Sequence, residues 1–178
     1  YLFPRAHAVA YVMMAFRIAW FKVYHPLAFY AAYFSIRAKA FDLRIMTGDL
    51  KTQMTEFNRI KALDRAASPK DKDLMSALEV SMEMYQRGYR FVNVDIQHSE
   101  ARRFSIKDGA LLPPFLAIDS LGETVADAIV AEREERPFTS LKDLQRRCKV
   151  SNTIIDLMKE LKCCGELPED EQMSLFGA

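Results

Sequence analysis

The sequence predicts a mainly α-helical chain: a helical first half, then a small α+β region that returns to helices and ends in a flexible peptide. Three observations carry this. The stretch Phe3–Pro26 is helix-length and apolar on nearly every side, which marks a helix buried in a larger body or lying along a ligand site rather than one with a single wet face. Helix-period apolar residues and cap signals then continue to Gly88. At Tyr89–Val94 the pattern switches to alternation rich in β-formers, the signature of a strand. The resulting units are residues 1–88, residues 89–165 and an acidic tail, residues 166–178.

Pro4 suits the first turn of the first helix. Pro26 ends it, because the residue before a proline is pushed out of helical geometry. A second helix runs from Pro26 to about Ala38, with Phe29, Tyr30, Tyr33 and Phe34 at helical spacing as core residues. Gly48 and Asp49 mark a stop and a new cap. Leu50, Met54, Phe57 and Lys61 give an amphipathic third helix that ends before Ser68. Ser68-Pro69 opens a fourth in cap-then-proline order; Leu74, Leu78 and Tyr85 line its buried face and Gly88 closes it.

After Tyr89–Val94, Ala101–Ile106 reads as a second strand, Lys107-Asp108-Gly109 as a turn and Pro113-Pro114 as a linker break. Helices resume at 123–133, 141–147 and 152–161. Ser140 with Asp143 forms a capping-box pattern, and Ser151 caps the last helix. From Gly165 onward the chain is acidic, holds Pro168 and reads as flexible.

Composition narrows the function classes. Half the residues are hydrophobic, enough to bury a core, and net charge is +1, so any nucleic-acid binding must use local patches rather than bulk charge. Cys148, Cys163 and Cys164 lack metal-ligand spacing and read as reduced thiols of a cytoplasmic protein. The charge-free run Ala6–Phe16 falls well short of the ~20 residues a membrane-crossing helix needs. The chain opens at Tyr1 without a Met, which reads as a piece of something longer.

Three constellations carry chemistry. At the mouth of the first helix, Arg5 sits where free N–H groups and the helix dipole favour an anion; His7 and Tyr11, four apart, share a face; Arg17 and Lys22 add cations. Leu121-Gly122, then Ala126 and Ile129, fit the second half of a helix-hairpin-helix: hydrophobe, Gly, three residues, Ala, two residues, Ile. The glycine lets the backbone approach a phosphate and the small Ala lets two helices pack closely. Arg102, Arg103 and Lys107 lie near it in sequence, and Arg146, Arg147 and Lys149 form a second basic group. Asp71-Lys72-Asp73 is the only close Asp-x-Asp, but it lies in the first turn of a helix, where acids stabilise the dipole. Neither a metal cluster nor a catalytic Ser/His/Asp set stands out, and His98 lies on a loop.

The motif FPRAHAVAY, followed by AWFKVYHPLAFYAAYFS, resembles the fingers of bacterial C-family replicative DNA polymerases, closest to the PolC type. Phe3, Pro4, Ala6, His7, Ala8, Ala10 and Tyr11 match the family pattern; Arg5 stands where the family has Lys. Ile118-Asp119-Ser120-Leu121-Gly122 stands where the family has Ile-Pro-Gly-Leu-Gly. The resemblance runs to the last residues, where Gln172, Met173, Ser174, Leu175 and Phe176 look like a sliding-clamp-binding peptide.

What the resemblance implies is a C-terminal part of such a polymerase: the end of the fingers, a duplex-binding region and a clamp-binding tail. Phe3, Arg5, His7, Tyr11 and Arg17 become candidates for the incoming dNTP. Arg102, Arg103, Lys107, Ser120, Leu121, Gly122 and Thr124 become candidates for duplex DNA. The sliding clamp is an expected partner, and a clamp-loader subunit a further candidate. The catalytic aspartates would belong to a palm upstream, so this part alone should not polymerise; magnesium is expected in the full polymerase, not here. The alternatives are a stand-alone helix-hairpin-helix adaptor that tethers a partner to the clamp, and a domain of a repair nuclease.

Overall fold

A computed structural model describes residues 4–170. Its helices are α1 (Arg5–Tyr24), α2 (Pro26–Ile36), α3 (Leu43–Met46), α4 (Leu50–Leu63), α5 (Pro69–Gln86), α6 (Glu123–Glu135), α7 (Leu141–Cys148) and α8 (Asn152–Glu160), with an antiparallel hairpin of β1 (Ser105–Lys107) and β2 (Ala110–Leu112) between α5 and α6. Two buried clusters hold them. Tyr30, Phe34, Met46, Ile60, Leu78 and Met84 form one under α2–α5, joined by Phe91 and Leu111 from the hairpin region. Phe115, Ile118, Ala126, Ile129, Leu144 and Met158 form the other under α6–α8.

The caps read from sequence are present. Ser68 and Asp71 make a reciprocal capping box at α5. Asp49 accepts the Thr52 N–H at 2.8 Å and Ser151 the Ile154 N–H at 3.3 Å. Ser140 accepts the Asp143 N–H at 3.0 Å, but Asp143 turns its carboxylate to the Thr139 N–H instead of completing the box. Pro4 is the cap of α1, one residue earlier than the first turn. The short helix α3 carries no periodic signal in its four residues; Asp42, accepting from the Ile45 N–H at 3.0 Å, starts it.

Several expectations are corrected. Tyr89–Val94 is not a strand: its single ladder contact is the parallel bridge Phe91–Leu111, and Asn93 sends its side chain to the Leu161 carbonyl and the Val94 N–H instead. Phe91 and Val94, three residues apart and so out of step with a period of two, drop into the two different cores. The actual strand partner of β1 is β2, and Lys107 belongs to the strand; the turn is Asp108-Gly109 alone, both at positive φ (50° and 75°), the geometry an Asp-Gly hairpin turn requires. Pro113 and Pro114 are buried rather than linking, and the Pro113 carbonyl accepts from the buried Ser99 hydroxyl at 2.8 Å. Met54 is exposed, and α4 buries Gln53 and Ile60. The described end of the tail is docked: the Leu141 and Lys142 N–H groups donate to the Pro168 and Glu169 carbonyls.

Helix α1 differs most from expectation, since it buries no residue within this chain. Val9, Tyr11, Met13, Phe16, Trp20 and Val23 are all exposed. Its last turn is tied down: Lys22 pairs with Glu83 of α5 at 2.6 Å, and the Lys22 carbonyl accepts from Arg87 at 2.9 Å. By length and composition α1 could also cross a bilayer, which the charge-free run understated. Arg17 lies inside it, and a central charge costs ~2.5–3.5 kcal/mol in hydrocarbon.

Candidate nucleic-acid interface

The elbow predicted at Leu121-Gly122 is built by a buried anchor on each side of an exposed turn. Ile118 and Leu121 are buried, Asp119, Ser120 and Gly122 are exposed. Ser120 takes φ +63°, occupying with a serine the left-handed position that would suit a glycine. Gly122 is the N-cap of α6 and supplies no side chain to cap it. A Cβ on Gly122 would meet nothing within 4 Å, so the mouth of α6 opens directly to solvent. Behind it, Ala126 and Ile129 are fully buried, and Ala126 lets the helix pack close. The result is a set of uncapped backbone donors at a helix N-terminus, a geometry suited to phosphate. Thr124 is exposed on the same first turn.

A second elbow was not read from the sequence. Lys149 takes φ +54°, Val150 is buried, Ser151 is the N-cap of α8, and Ile155 and Met158 are buried. These stand at the same offsets as Ser120, Leu121, Gly122, Ala126 and Ile129. The signal that could have revealed it is the repeated spacing, with Val for Leu and Ser for Gly. The chemistry differs: the Ser151 hydroxyl fills the Ile154 N–H, whereas Gly122 leaves the first elbow open.

The helix between the elbows, α7, is fixed by one buried carboxylate. Asp143 takes hydrogen bonds from Arg146 at 2.9 Å, Arg147 at 3.3 Å, Arg136 at 3.4 Å and the Thr139 N–H at 3.3 Å. Burial pushes its carboxyl up, but these donors outweigh that and hold it below the usual carboxylate range. Arg147 reaches on to Glu132 of α6 at 2.9 Å and lies over the Phe138 ring at 4.7 Å. Arg146 and Arg147, read as a basic patch, are therefore joined to this network, while Lys149 is exposed at the second elbow.

Of the three basic residues assigned to duplex DNA, two have carboxylate partners within the chain. Arg102 folds onto α6: Nε and Nη2 donate to the two oxygens of Asp127 at 3.0 and 2.5 Å, and Nη1 to Glu123 at 2.6 Å. Arg103 is exposed. Lys107 donates to Asp95 at 2.8 Å, whose carboxylate also meets His98 at 3.0 Å; His98 thus has a partner set that its loop position did not suggest.

On α1, Arg5, His7, Tyr11 and Arg17 are all exposed. The His7 and Tyr11 rings meet edge-on at 4.6 Å, as their spacing required. Arg17 lies twelve residues beyond Arg5, about 18 Å along the axis and a third of a turn round it, so the two do not share one locus on the helix. Phe3 and the peptide Gln172–Phe176 lie outside the described residues.

Asp71 does not fit a catalytic metal site. Its carboxylate is taken by the Ser68 N–H and hydroxyl, at 3.1 and 2.6 Å, and by Arg59 at 3.5 Å. Among the described residues there is no group of three or more His, Cys, Asp or Glu able to hold a metal. The cysteines are free and buried; burial raises the Cys148 thiol to about 11 and the Cys163 thiol to about 12.

The elbow and its packing define the class: a helix-hairpin-helix module carried beside a helical platform. Residues 88–172 match the family model described as the helix-hairpin-helix motif. Kinship extends to the whole chain. It is 48% identical over 176 residues to DNA polymerase III PolC-type of Caldanaerobacter subterraneus subsp. tengcongensis, covering 99% of this chain and 13% of that protein. It is 49% identical over 179 residues to the protein of the same name from Streptococcus suis, and 46% identical over 179 residues to that of Streptococcus pyogenes, covering 99% of this chain and 12% of each. The chain is thus homologous, over nearly all its length, to one segment of PolC-type DNA polymerase III, and it spans only about an eighth of the length of these relatives.

Proposed function

We propose that the chain is the C-terminal portion of a replicative, DNA-directed DNA polymerase of the PolC type, acting in the cytoplasm on primer-template duplex. The open elbow at Ser120–Gly122 is the observation that carries this reading: an uncapped helix mouth with room for a phosphate, on a module that matches the helix-hairpin-helix family. Such contacts hold duplex without reading its sequence. The first elbow is the principal grip, because the second spends one of its donors on Ser151.

The other roles rest on resemblance. The mouth of α1, with Phe3, Arg5, His7 and Tyr11, and Arg17 further along, serves the incoming dNTP once the preceding parts of the polymerase cover the exposed apolar helix. Gln172, Met173, Ser174, Leu175 and Phe176 tether the enzyme to the sliding clamp, with Leu175 and Phe176 as apolar anchors; a clamp-loader subunit is a further candidate partner. Magnesium and the catalytic aspartates belong to the upstream palm, so this segment binds and positions but forms no phosphodiester bond.

Gly122→Val tests the central claim. A Cβ there meets no atom within 4 Å, and the branched side chain beyond it is placed at the mouth of α6. We expect unchanged circular dichroism and at least about a five-fold loss of duplex affinity by fluorescence anisotropy, with the steep salt dependence that counterion release imposes. Equal affinity of Gly122→Val and the unaltered chain would overturn the assignment. Replacing both Leu175 and Phe176 by alanine should abolish clamp capture in a pull-down.

A further inference from the structure

The sequence placed Arg102 among the phosphate contacts, but its geometry assigns it another task. Three of its N–H groups are spent on α6, two on the Asp127 carboxylate and one on Glu123. The attachment is sequence-distant, spanning 25 and 21 residues. Its own backbone is held beside the arm that leads into the elbow, because the Glu100 and Ala101 carbonyls accept from the Phe115 and Leu116 N–H groups at 2.9 and 3.1 Å. Arg102 is therefore fixed to one side of the hairpin and grips the other.

The two acids it holds matter for a phosphate. Glu123 is the first residue of α6, directly after the uncapped Gly122, and Asp127 lies one turn further along the same face. Acids there stabilise the helix dipole, but they also present negative charge at the site where a phosphate would sit. Glu123 and Asp127 are both exposed, so only their partner decides where their carboxylates point. The Arg102 fork holds both and offsets part of their charge; its hydrogen bonds hold the Asp127 carboxyl below its usual range.

We infer that Arg102 is a positioning residue for duplex binding: it acts by drawing Glu123 and Asp127 away from the mouth of the first elbow, and makes no phosphate contact of its own. This rests on the reading of that elbow as the duplex grip. A lysine cannot replace it, since one ammonium lacks the planar fork that meets Asp127 at two points while reaching Glu123.

The test measures duplex affinity of the full 178-residue chain by fluorescence anisotropy across a salt series. Arg102→Ala should weaken binding about five-fold at low salt, the size expected for two carboxylates released within ~9 Å of a phosphate in water, and Arg102→Lys should fall between. The slope of log affinity against log salt should stay the same, because no phosphate contact is lost. Adding Glu123→Gln and Asp127→Asn to Arg102→Ala should restore affinity. Adding Asp73→Asn and Glu79→Gln on α5 instead, with the same net charge, should not. A slope reduced by about one unit, with no rescue by Glu123→Gln and Asp127→Asn, would show a direct phosphate contact and overturn the inference. Equal rescue by the α5 pair would overturn it in favour of bulk charge. If the unaltered chain bound no duplex at any salt, the reading of the elbow would fall and this inference with it; binding without the specific rescue would remove the inference alone.

Discussion

Removing the Asp143 carboxylate should loosen the corner that sets the spacing of the two elbows. Its side chain is fully buried, and Arg147, which it shares with Glu132, is only 11% exposed. Breaking a buried ion pair from one side costs ~3–5 kcal/mol, because the remaining charge stays desolvated. Arg147 keeps Glu132 and the Glu132 carbonyl as partners, so the low end applies: about 3 kcal/mol for Asp143→Ala. The pairs with Arg136 and Arg146, both well exposed, add at most a few tenths each. Asp143→Asn retains an acceptor for the Thr139 N–H and should cost about half as much. In a domain of this size a loss of about 3 kcal/mol lowers the melting midpoint by ~6–12 °C.

The pH dependence has a definite sign. Because the folded carboxyl is held below its unfolded value, its contribution is complete above about pH 4 and is lost as pH falls through the depressed folded value. Urea titrations of the unaltered chain and Asp143→Asn should therefore converge in strong acid and separate above it. Duplex affinity should fall alongside stability in Asp143→Ala, since α7 joins the elbows. A destabilisation under about 1 kcal/mol at neutral pH would refute the claim that this carboxylate fixes the corner.

Two further outcomes follow from buried and exposed surfaces. Gln53, fully buried, donates to the Met46 carbonyl at 3.1 Å and accepts from the Ser81 hydroxyl at 2.6 Å; Gln53→Leu takes the acceptor from the Ser81 hydroxyl, while the Met46 carbonyl keeps the Tyr85 hydroxyl at 2.9 Å, and should destabilise by about 2 kcal/mol in urea unfolding, whereas Ser81→Ala should cost less. The bare α1 surface should make the isolated chain self-associate as concentration rises, since contiguous exposed apolar area drives association; Val12→Lys with Phe16→Lys, four apart on one face, should shift sedimentation velocity toward monomer.

Much of the chain is legible without coordinates because the signals are local. Ser68-Pro69, Asp49 and Ser151 start helices through hydrogen bonds made within four residues. The Leu121–Gly122 elbow is equally readable, since its motif encodes a turn, a close helix contact and two buried anchors at fixed offsets. Where reading failed, a distant partner outweighed the local pattern. Tyr89–Val94 has the composition of a strand, yet Phe91 and Val94, three residues apart, each serve a different core. Pro113-Pro114 has the composition of a linker and is buried all the same.

The sequence by itself determined the long helices, most of the cap chemistry and the glycine mouth of α6, all matters of spacing along a single stretch of chain. Tertiary structure alone decided what the charges do. Arg102 and Glu123 are 21 residues apart and Arg147 and Glu132 are 15 apart; whether such a cation faces solvent, a phosphate or a carboxylate depends on which surfaces the fold brings within hydrogen-bond reach, and no local periodicity encodes that distance.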